Sequence, residues 1–332
     1  MDFNKIQLGH RLADLASKGV FIGTSSWKYP GWRGMVYDES RYLYRGKFAK
    51  SRFEANCLAE YAEVFKTVCV DAAYYNFPTR EYLEGLASQV PPNFKFGFKV
   101  TDAITIKRFP DLPRFGPRRM ANENFLNVDA FVSQFLEPCE AIRSQVGILI
   151  FEFSRFHRAD YQDLREFIAD LDAFLSKLPK GWPYGIEMRN DIWLGPEYLD
   201  CLARHQVAHV YNSWTDMPTV SEQLALPGSR TNPALVAARF LLTPGKTYER
   251  SIQDYEPFDS LKKIDDNARS AATTIIDEGA RTPSRYTYVF VNNRLEGCAP
   301  RTIQALVDAK REALRPRLPT EPGSGPTQAS HE

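Results

Sequence analysis

At 332 residues the chain is long enough for two average domains or for one α/β barrel with insertions. Its hydrophobic fraction of 43% is enough to bury a large core, and no continuous apolar run of about eighteen residues is present to cross a membrane. The net charge of +1 excludes a global electrostatic signal for nucleic acid or for an anionic membrane surface.

The cysteines and the first residues indicate the compartment. Five cysteines are scattered without the CxxC spacing of a zinc or redox site: Cys57, Cys69, Cys139, Cys201 and Cys298. An odd, dispersed set is typical of reduced thiols. Residues 1–19 contain Asp2 and Asp14 and lack the apolar stretch of a secretory signal. We therefore expect a cytoplasmic protein with no membrane partner.

Short apolar runs alternate with amphipathic segments along the chain. This pattern predicts eight strands, at residues 20–25, 67–71, 94–100, 146–151, 184–188, 207–212, 235–240 and 286–291. Helices are predicted at residues 54–65, 79–89, 128–143, 161–178, 197–205, 217–228, 255–279 and 300–313. Pro218 and Pro227 interrupt the sixth of these helices.

Eight strand–helix alternations favour a closed parallel barrel over an open, doubly wound sheet. The sequence thus predicts an α/β fold with a single (β/α)8 TIM-like barrel over residues 20–314. An N-terminal extension (1–19) precedes it, and a Pro/Gly/Ser-rich tail (315–332) that we expect to be disordered follows. Long loops follow strands one and three, at 28–51 and 102–127, on the face where barrel loops bind ligands.

Five sequence motifs follow one another in chain order. They are Gly23-Thr24-Ser25-Ser26-Trp27-Lys28-Tyr29 with Gly31-Trp32, segment 67–78 with Tyr74-Tyr75, Phe96-Gly97-Phe98-Lys99, Ile186-Glu187-Met188-Arg189 through Trp193, and Asn292-Asn293 with Gly297. Together they resemble the YecE-like family, also called domain of unknown function 72 (DUF72). The resemblance runs from the first strand to the eighth, implies a barrel and supplies no settled reaction.

The chain departs from that family's pattern at several strand ends. Cys69 and Asp71 stand where the family usually carries a glutamate and an asparagine, and Glu152 replaces a glutamine. After the seventh strand Arg239 is retained, but Leu241 occupies a histidine position. These differences indicate a divergent, longer branch, to which the activity of typical members need not carry over.

Polar residues at the carboxyl ends of parallel strands converge on one bowl, where barrel enzymes have their active sites. Alternation along the fifth strand places Glu187 and Arg189 on one face. Glu152 lies on the adjacent strand, so it and Glu187 are predicted as paired acid/base carboxylates. Asp71 and Lys99 complete the predicted catalytic set, with Lys99 as a base, a Schiff-base amine or an anion anchor. The alternative for each is an ion pair that closes the barrel top.

A second set of residues is predicted to bind substrate. It consists of Arg189, Arg239, Asn292, Asn293, Trp27, Tyr29, Tyr75, Trp193 and Asn212. Guanidinium groups suit an anion, asparagine amides suit hydroxyl groups, and aromatic rings stack on sugars or bases. The alternatives are a turn at residues 292–293 and packing of the aromatic residues under a lid.

Segment 105–119 is strongly basic in a nearly neutral chain. It holds Lys107, Arg108, Arg114, Arg118 and Arg119 against Asp111 alone, and Arg155, Arg158, Lys246 and Arg250 follow other strands. A basic rim of this kind suggests an anionic partner, such as a small molecule or a nucleic acid. The alternative is a solvated loop balanced by acidic residues elsewhere in the sequence.

The motifs leave three hypotheses about function. No phosphate-binding GxxxxGK[ST] or GxGxxG motif indicates a nucleotide cofactor. Asp71, Glu152 and Glu187 suit a divalent cation, although no histidine falls at a strand end to complete a metal site. The leading hypothesis is a hydrolase- or isomerase-type enzyme acting on a phosphorylated or otherwise anionic, sugar-like molecule. A nucleic-acid-binding barrel or phosphodiesterase and a non-catalytic scaffold are the alternatives; the sequence does not indicate an oligomeric state.

Overall fold

The computed structural model describes residues 2–109, 120–243 and 245–314, with side chains up to residue 308. Eight parallel strands close into one barrel in chain order, which confirms the predicted fold class. The strands are β1 (Val20–Thr24), β2 (Thr67–Val70), β3 (Lys95–Lys99), β4 (Val146–Phe153), β5 (Tyr184–Met188), β6 (Ala208–Asn212), β7 (Leu235–Phe240) and β8 (Tyr286–Val291). The barrel closes where β8 pairs with β1 along the whole length of β1.

Helices surround the barrel and connect its strands. They are α1 (Lys5–Ser17), α2 (Lys50–Val64), α3 (Arg80–Ala87), α4 (Asp102–Thr105), α5 (Val128–Phe131), α6 (Glu137–Cys139), α7 (Leu164–Lys177), α8 (Pro196–Arg204), α9 (Val220–Ala225), α10 (Tyr248–Tyr255), α11 (Asp266–Arg281), α12 (Asn293–Glu296) and α13 (Ala299–Leu314). Of the helices in the described part of the chain, none is both long and apolar enough to cross a bilayer. In α9 a capping box between Thr219 and Glu222 starts the helix just after Pro218.

Segment 255–279 and the N-terminal extension are two of the places where the structure differs from the sequence-based prediction. The long helix predicted at 255–279 is present, but its predicted start is wrong, because α10 ends at Tyr255 and α11 begins only at Asp266. Pro257 has no amide hydrogen and Phe258 has a φ of 66°, and neither is compatible with a continuous helix. The N-terminal extension, for which no helix was predicted, contains α1, and the leucines of its buried face pack it against β1 and α2.

The strands separate two apolar clusters. The smaller one fills the inside of the barrel with Phe21, Cys69, Ile148, Ile150, Ala208, Val210, Leu235, Ala237, Tyr288 and Phe290. Neighbouring positions along the same strands belong to the larger cluster between barrel and helices. Because the interior is filled with side chains, a ligand has access to the barrel only at its two ends.

Gly23 is needed where β1 approaches β2. A Cβ at position 23 would lie 2.0 Å from the carbonyl oxygen of Thr67, and this backbone atom cannot move without separating the strands. We expect Gly23→Ala to lower the free energy of unfolding by about 1–3 kcal/mol, measured by urea unfolding. Gly85→Ala on α3 is the control, because a Cβ there meets nothing within 4 Å. That change should stabilise the helix by about 0.5–1 kcal/mol, and equal stabilities of the two variants would contradict the prediction.

Candidate functional site

Three carboxylates and three cations form one network at the carboxyl ends of the strands. Its members are Asp71, Lys99, Glu152, Glu187, Arg189 and Arg239. They come from the ends of β2, β3, β4, β5 and β7, so the barrel brings the predicted catalytic set together with both predicted arginines. The formal charges cancel, and every member except Asp71 is buried.

Arg239 connects carboxylates from three different strands. Its Nη1 lies 2.6 Å from Oε2 of Glu187, and its Nη2 lies 3.0 Å from Oδ1 of Asp71. The other oxygen of Glu187 accepts from Nε and Nη2 of Arg189, at 2.8 and 2.7 Å. Glu187 is thus held through both oxygens, whereas the side chain of Asp71 is 32% exposed.

Glu152 is surrounded by positive charge. Its Oε2 lies 2.6 Å from Nζ of Lys99, 2.7 Å from Nη2 of Arg189 and 3.5 Å from Nη1 of Arg239. Burial favours a raised pKa for Glu152, but Arg189, Lys99 and Arg239 outweigh burial and lower the pKa from 4.5 to about 2. Glu152 is therefore ionised at neutral pH and is a poor proton donor there.

Two aromatic rings cover the cations of the network. Nζ of Lys99 lies 3.6 Å from the centre of the Tyr74 ring, and the guanidinium carbon of Arg189 lies 3.7 Å from the centre of the Trp214 ring. Such contacts fix the direction of the cations and shield them from water. Trp214 follows the end of β6 by two residues, and Tyr74 belongs to the aromatic pair with Tyr75. Both are among the aromatic residues near strand ends that the sequence suggests as stacking platforms.

Buried donors lie near the ends of β1, β7 and β8 without a hydrogen-bond partner in the described part of the protein. They are Oγ of Ser25, Nε1 of Trp27, Nε of Arg239, Nδ2 of Asn293 and Nε of Arg294. The phenol of Tyr29 borders this region. Burial raises its pKa to about 12, Arg294 and Asn293 oppose the rise, and Asp71 adds to it. Asn293 is thus close to Tyr29.

The predicted asparagines differ in their surroundings. Nδ2 of Asn212 donates to the carbonyl of Met188 at 3.0 Å, and its Oδ1 accepts from the amide of Trp214 at 3.2 Å. Asn292 accepts from the amide of Arg294 at 3.0 Å and so caps α12. These two side chains hold the ends of β5, β6 and β8 in place, and such contacts leave little freedom to bind a substrate.

The predicted aromatic residues also divide into buried and accessible rings. Trp27 is 4% exposed, and Trp193 is stacked on Phe156 in the helix–barrel layer with a distance of 5.2 Å between ring centres. Tyr29 is half-buried against Trp32, whereas Tyr75 is 57% exposed. Among these predicted rings, only Tyr75 presents a largely open face.

Most of the basic residues predicted to form a rim are paired in the described part of the protein. The pairs are Lys107 with Asp170, Arg108 with Asp160, Arg155 with Asp216, and both Lys246 and Arg250 with Asp254. Arg114, Arg118 and Arg119 lie outside the described residues. In its described part, the rim is therefore balanced by acidic residues, which is the alternative considered for this loop.

The network offers little to a divalent cation. Each of its carboxylates already binds a guanidinium or ammonium group, which a metal would have to displace. On the outer helices, possible ligand atoms of Asp172, Cys201 and His205 lie within 4.8 Å of one another. There Arg204 already binds Asp172 at 2.8 Å, so a cation would compete with an existing ion pair.

Comparison with known proteins supplies a family and a fold. The family model described as "Protein of unknown function DUF72" matches residues 21–324. A DUF72 family protein from Enterococcus faecalis V583 is similar with a TM-score of 0.58 and 18% identity, over 88% of this chain and 97% of that one. For a DUF72 family protein from Thermotoga maritima MSB8 the TM-score is 0.53, the identity 20%, and the coverage 88% and 99%. No curated protein matches the chain.

We expect Glu152→Gln to destabilise the protein and to reduce its sensitivity to acid. The change leaves Lys99 and Arg189 buried beside a neutral amide, which costs about 3–5 kcal/mol. In the native protein the pKa of Glu152 drops from 4.5 to about 2 on folding, so its stabilising contribution is complete above about pH 4.5 and is lost as the pH falls toward 2. Urea unfolding at neutral and acidic pH measures both effects.

Glu54→Gln removes an exposed carboxylate on α2 and serves as the control. It should leave both the stability at pH 7 and the acid transition close to those of the native protein. Native stability of Glu152→Gln at pH 7 would show that the network does not hold this carboxylate in the way described.

Proposed function

The chain belongs to the DUF72 family of proteins of unknown function, and we propose that it is a barrel enzyme acting on an anionic, sugar-like small molecule. The observations that carry this proposal are Asp71, a partly exposed carboxylate bound to the buried Arg239, and the buried donors without acceptors near the ends of β1, β7 and β8 in the described part of the protein. Barrel enzymes have their active sites at this end, and many bind phosphate groups near strands seven and eight.

The unpartnered donors favour a ligand rich in acceptor oxygens. A buried donor left without a partner costs about 1–3 kcal/mol, and a ligand that supplies acceptors removes that cost. Two of the donors, on Arg239 and Arg294, belong to guanidinium groups, which favours a negatively charged ligand. Ser25, Trp27 and Asn293 add neutral donors, which suit the hydroxyl groups of a sugar.

Within this proposal Asp71 is the acid/base group. It is bound at 3.0 Å by Arg239 and contacted at 3.7 Å by the thiol of Cys69, and part of its surface stays accessible to a substrate. Glu152 and Glu187, the acid/base pair of the leading sequence hypothesis, instead hold the cations in place. Either would have to break ion pairs to exchange a proton.

Lys99 at the end of β3 and Arg189 after β5 complete the proposed site, on the other side of the barrel end from β1 and β8. Lys99 and Arg189 are ion-paired and covered by aromatic rings, so they are fixed before a ligand arrives. Preorganised cations of this kind stabilise negative charge that develops in a transition state. Tyr75 beside them exposes a ring on which the apolar face of a sugar can stack.

A panel of pentose and hexose phosphates tests the proposal, with the unphosphorylated sugars alongside. We expect at least one phosphorylated compound to bind roughly tenfold or more tightly than its neutral form by calorimetry, because only it can pair with the guanidinium groups. Proton and phosphorus NMR spectra of the same mixtures detect conversion. If no compound of the panel bound or reacted at millimolar concentration, the proposed substrate class would be ruled out.

Asp71→Asn tests the assignment of the acid/base group. The amide keeps the size of the side chain and can still accept from Arg239, so binding of the converted compound should change little. Turnover should fall by about 10²–10⁴-fold, which is the usual contribution of a general acid or base. Glu54→Gln is again the control for removal of a carboxylate, and an Asp71→Asn variant with full turnover would disprove the role.

A further inference from the structure

Four neighbouring strands begin beside basic residues at the amino-terminal end of the barrel, opposite the network of the candidate site. In barrel order the cations are Arg285 before β8, Lys18 before β1, Lys66 before β2 and Lys95 at the start of β3. The amide of Lys95 donates to the carbonyl of Lys66 at 3.0 Å, which places these two residues side by side. The other four strands begin with, and are preceded by, uncharged residues.

All four cations line one cavity of about 940 Å³. It lies between the end of α1, the first residues of these strands and the segment 282–286. Among the described residues that line it there is no Asp or Glu, so this part of the wall carries four positive charges and no negative one. A cavity of this volume accommodates a ligand of nucleotide size.

Within the described residues, most of these cations have backbone oxygens as their only partners. Nζ of Lys66 donates to two carbonyls of α2 at 3.1 Å each, Lys95 donates to the carbonyl of Ser144, and Nε of Arg285 donates to that of Pro233 at 3.0 Å. Burial lowers the pKa of both lysines. Lys18 is the one cation of the four that pairs with a carboxylate of the described residues, that of Asp14 on α1.

Aromatic rings form part of the same wall. Phe21 is buried, and Tyr286 is 52% exposed, with a distance of 6.3 Å between the two ring centres. An exposed ring beside cations whose partners are mostly backbone oxygens is an arrangement that suits a ligand with a flat ring and a negatively charged chain. Tyr286 therefore offers a means to distinguish a nucleotide from a simple polyanion.

We propose that this cavity is a second ligand site, separate from the candidate active site, that binds a chain of two or more phosphates. Neighbouring strands are about 4.8 Å apart, so cations on four strands span roughly 14 Å, which is more than a single phosphate reaches. Ammonium groups whose partners are carbonyls keep a full positive charge for the ligand to neutralise. The phosphate chain belongs either to free polyphosphate or to a nucleoside di- or triphosphate.

Calorimetry with sodium tripolyphosphate, ATP and AMP tests the site at low and near-physiological salt. The native protein should bind tripolyphosphate and ATP, and salt should weaken both. In Lys66→Gln/Lys95→Gln we expect the affinity for tripolyphosphate to fall roughly tenfold or more, because two of the four charges are removed. Lys177→Gln/Lys180→Gln is the matched control, since it removes two exposed lysines outside the cavity, and its affinity should stay within about twofold.

Tyr286→Ala separates the two sources of phosphate. Weaker binding of ATP with unchanged binding of tripolyphosphate identifies a nucleotide, and an equal effect on both identifies free polyphosphate. If the double variant does not fold, Lys18→Gln provides a second variant, because Lys18 is exposed. Its expected loss of affinity for tripolyphosphate is smaller. The proposal is overturned if the native protein binds neither polyphosphate, or if the cavity variants and the control bind them equally.

Discussion

The buried guanidinium group of Arg239 determines how the carboxyl end of this barrel is built. Only 2% of its side chain is exposed, and burying such a charge without partners would cost several kcal/mol. Carboxylates from β4, β5 and the end of β2 supply those partners. β4 and β2 lie three strands from β7 in opposite directions around the barrel, and β5 lies two strands away. Arg239 therefore ties opposite sides of the barrel together, and Lys99 and Arg189 balance the remaining negative charge.

The cations at the two ends of the barrel have different partners. At the carboxyl end each cation of the network has a carboxylate partner, so the site is electrically neutral and a ligand gains most from donors that lack acceptors. At the amino-terminal end Lys66 and Lys95 have carbonyl partners, so the wall of the cavity keeps its charge. The first arrangement favours a ligand that bonds to the free donors, those of Arg239 and Arg294 included, and the second favours a ligand of high negative charge.

Short-range sequence patterns predicted much of this structure. Eight apolar runs gave the eight strands, and the two-residue spacing of Glu187 and Arg189 put them on one face, where they form the expected pair. The contact between Arg239 and Asp71 was not predictable in this way. The two residues are 168 positions apart in the sequence, and they meet only because the barrel closes. Asn212 shows a similar limit: its place at a strand end was clear, but its bonds to neighbouring backbone depend on the packing of β5 and β6.

The network around Arg239 also gives a structural role to the residues that depart from the DUF72 pattern. Where the family usually has a glutamate, Cys69 is buried, and burial raises the pKa of its thiol, so position 69 carries no charge. A carboxylate appears two residues later as Asp71, on the same face of the chain, and binds Arg239. Glu152, in place of a glutamine, supplies the charge that Lys99 and Arg189 share. In this chain the three carboxylates Asp71, Glu152 and Glu187 thus neutralise the three cations without a charge at position 69, and Asp71 is the accessible one.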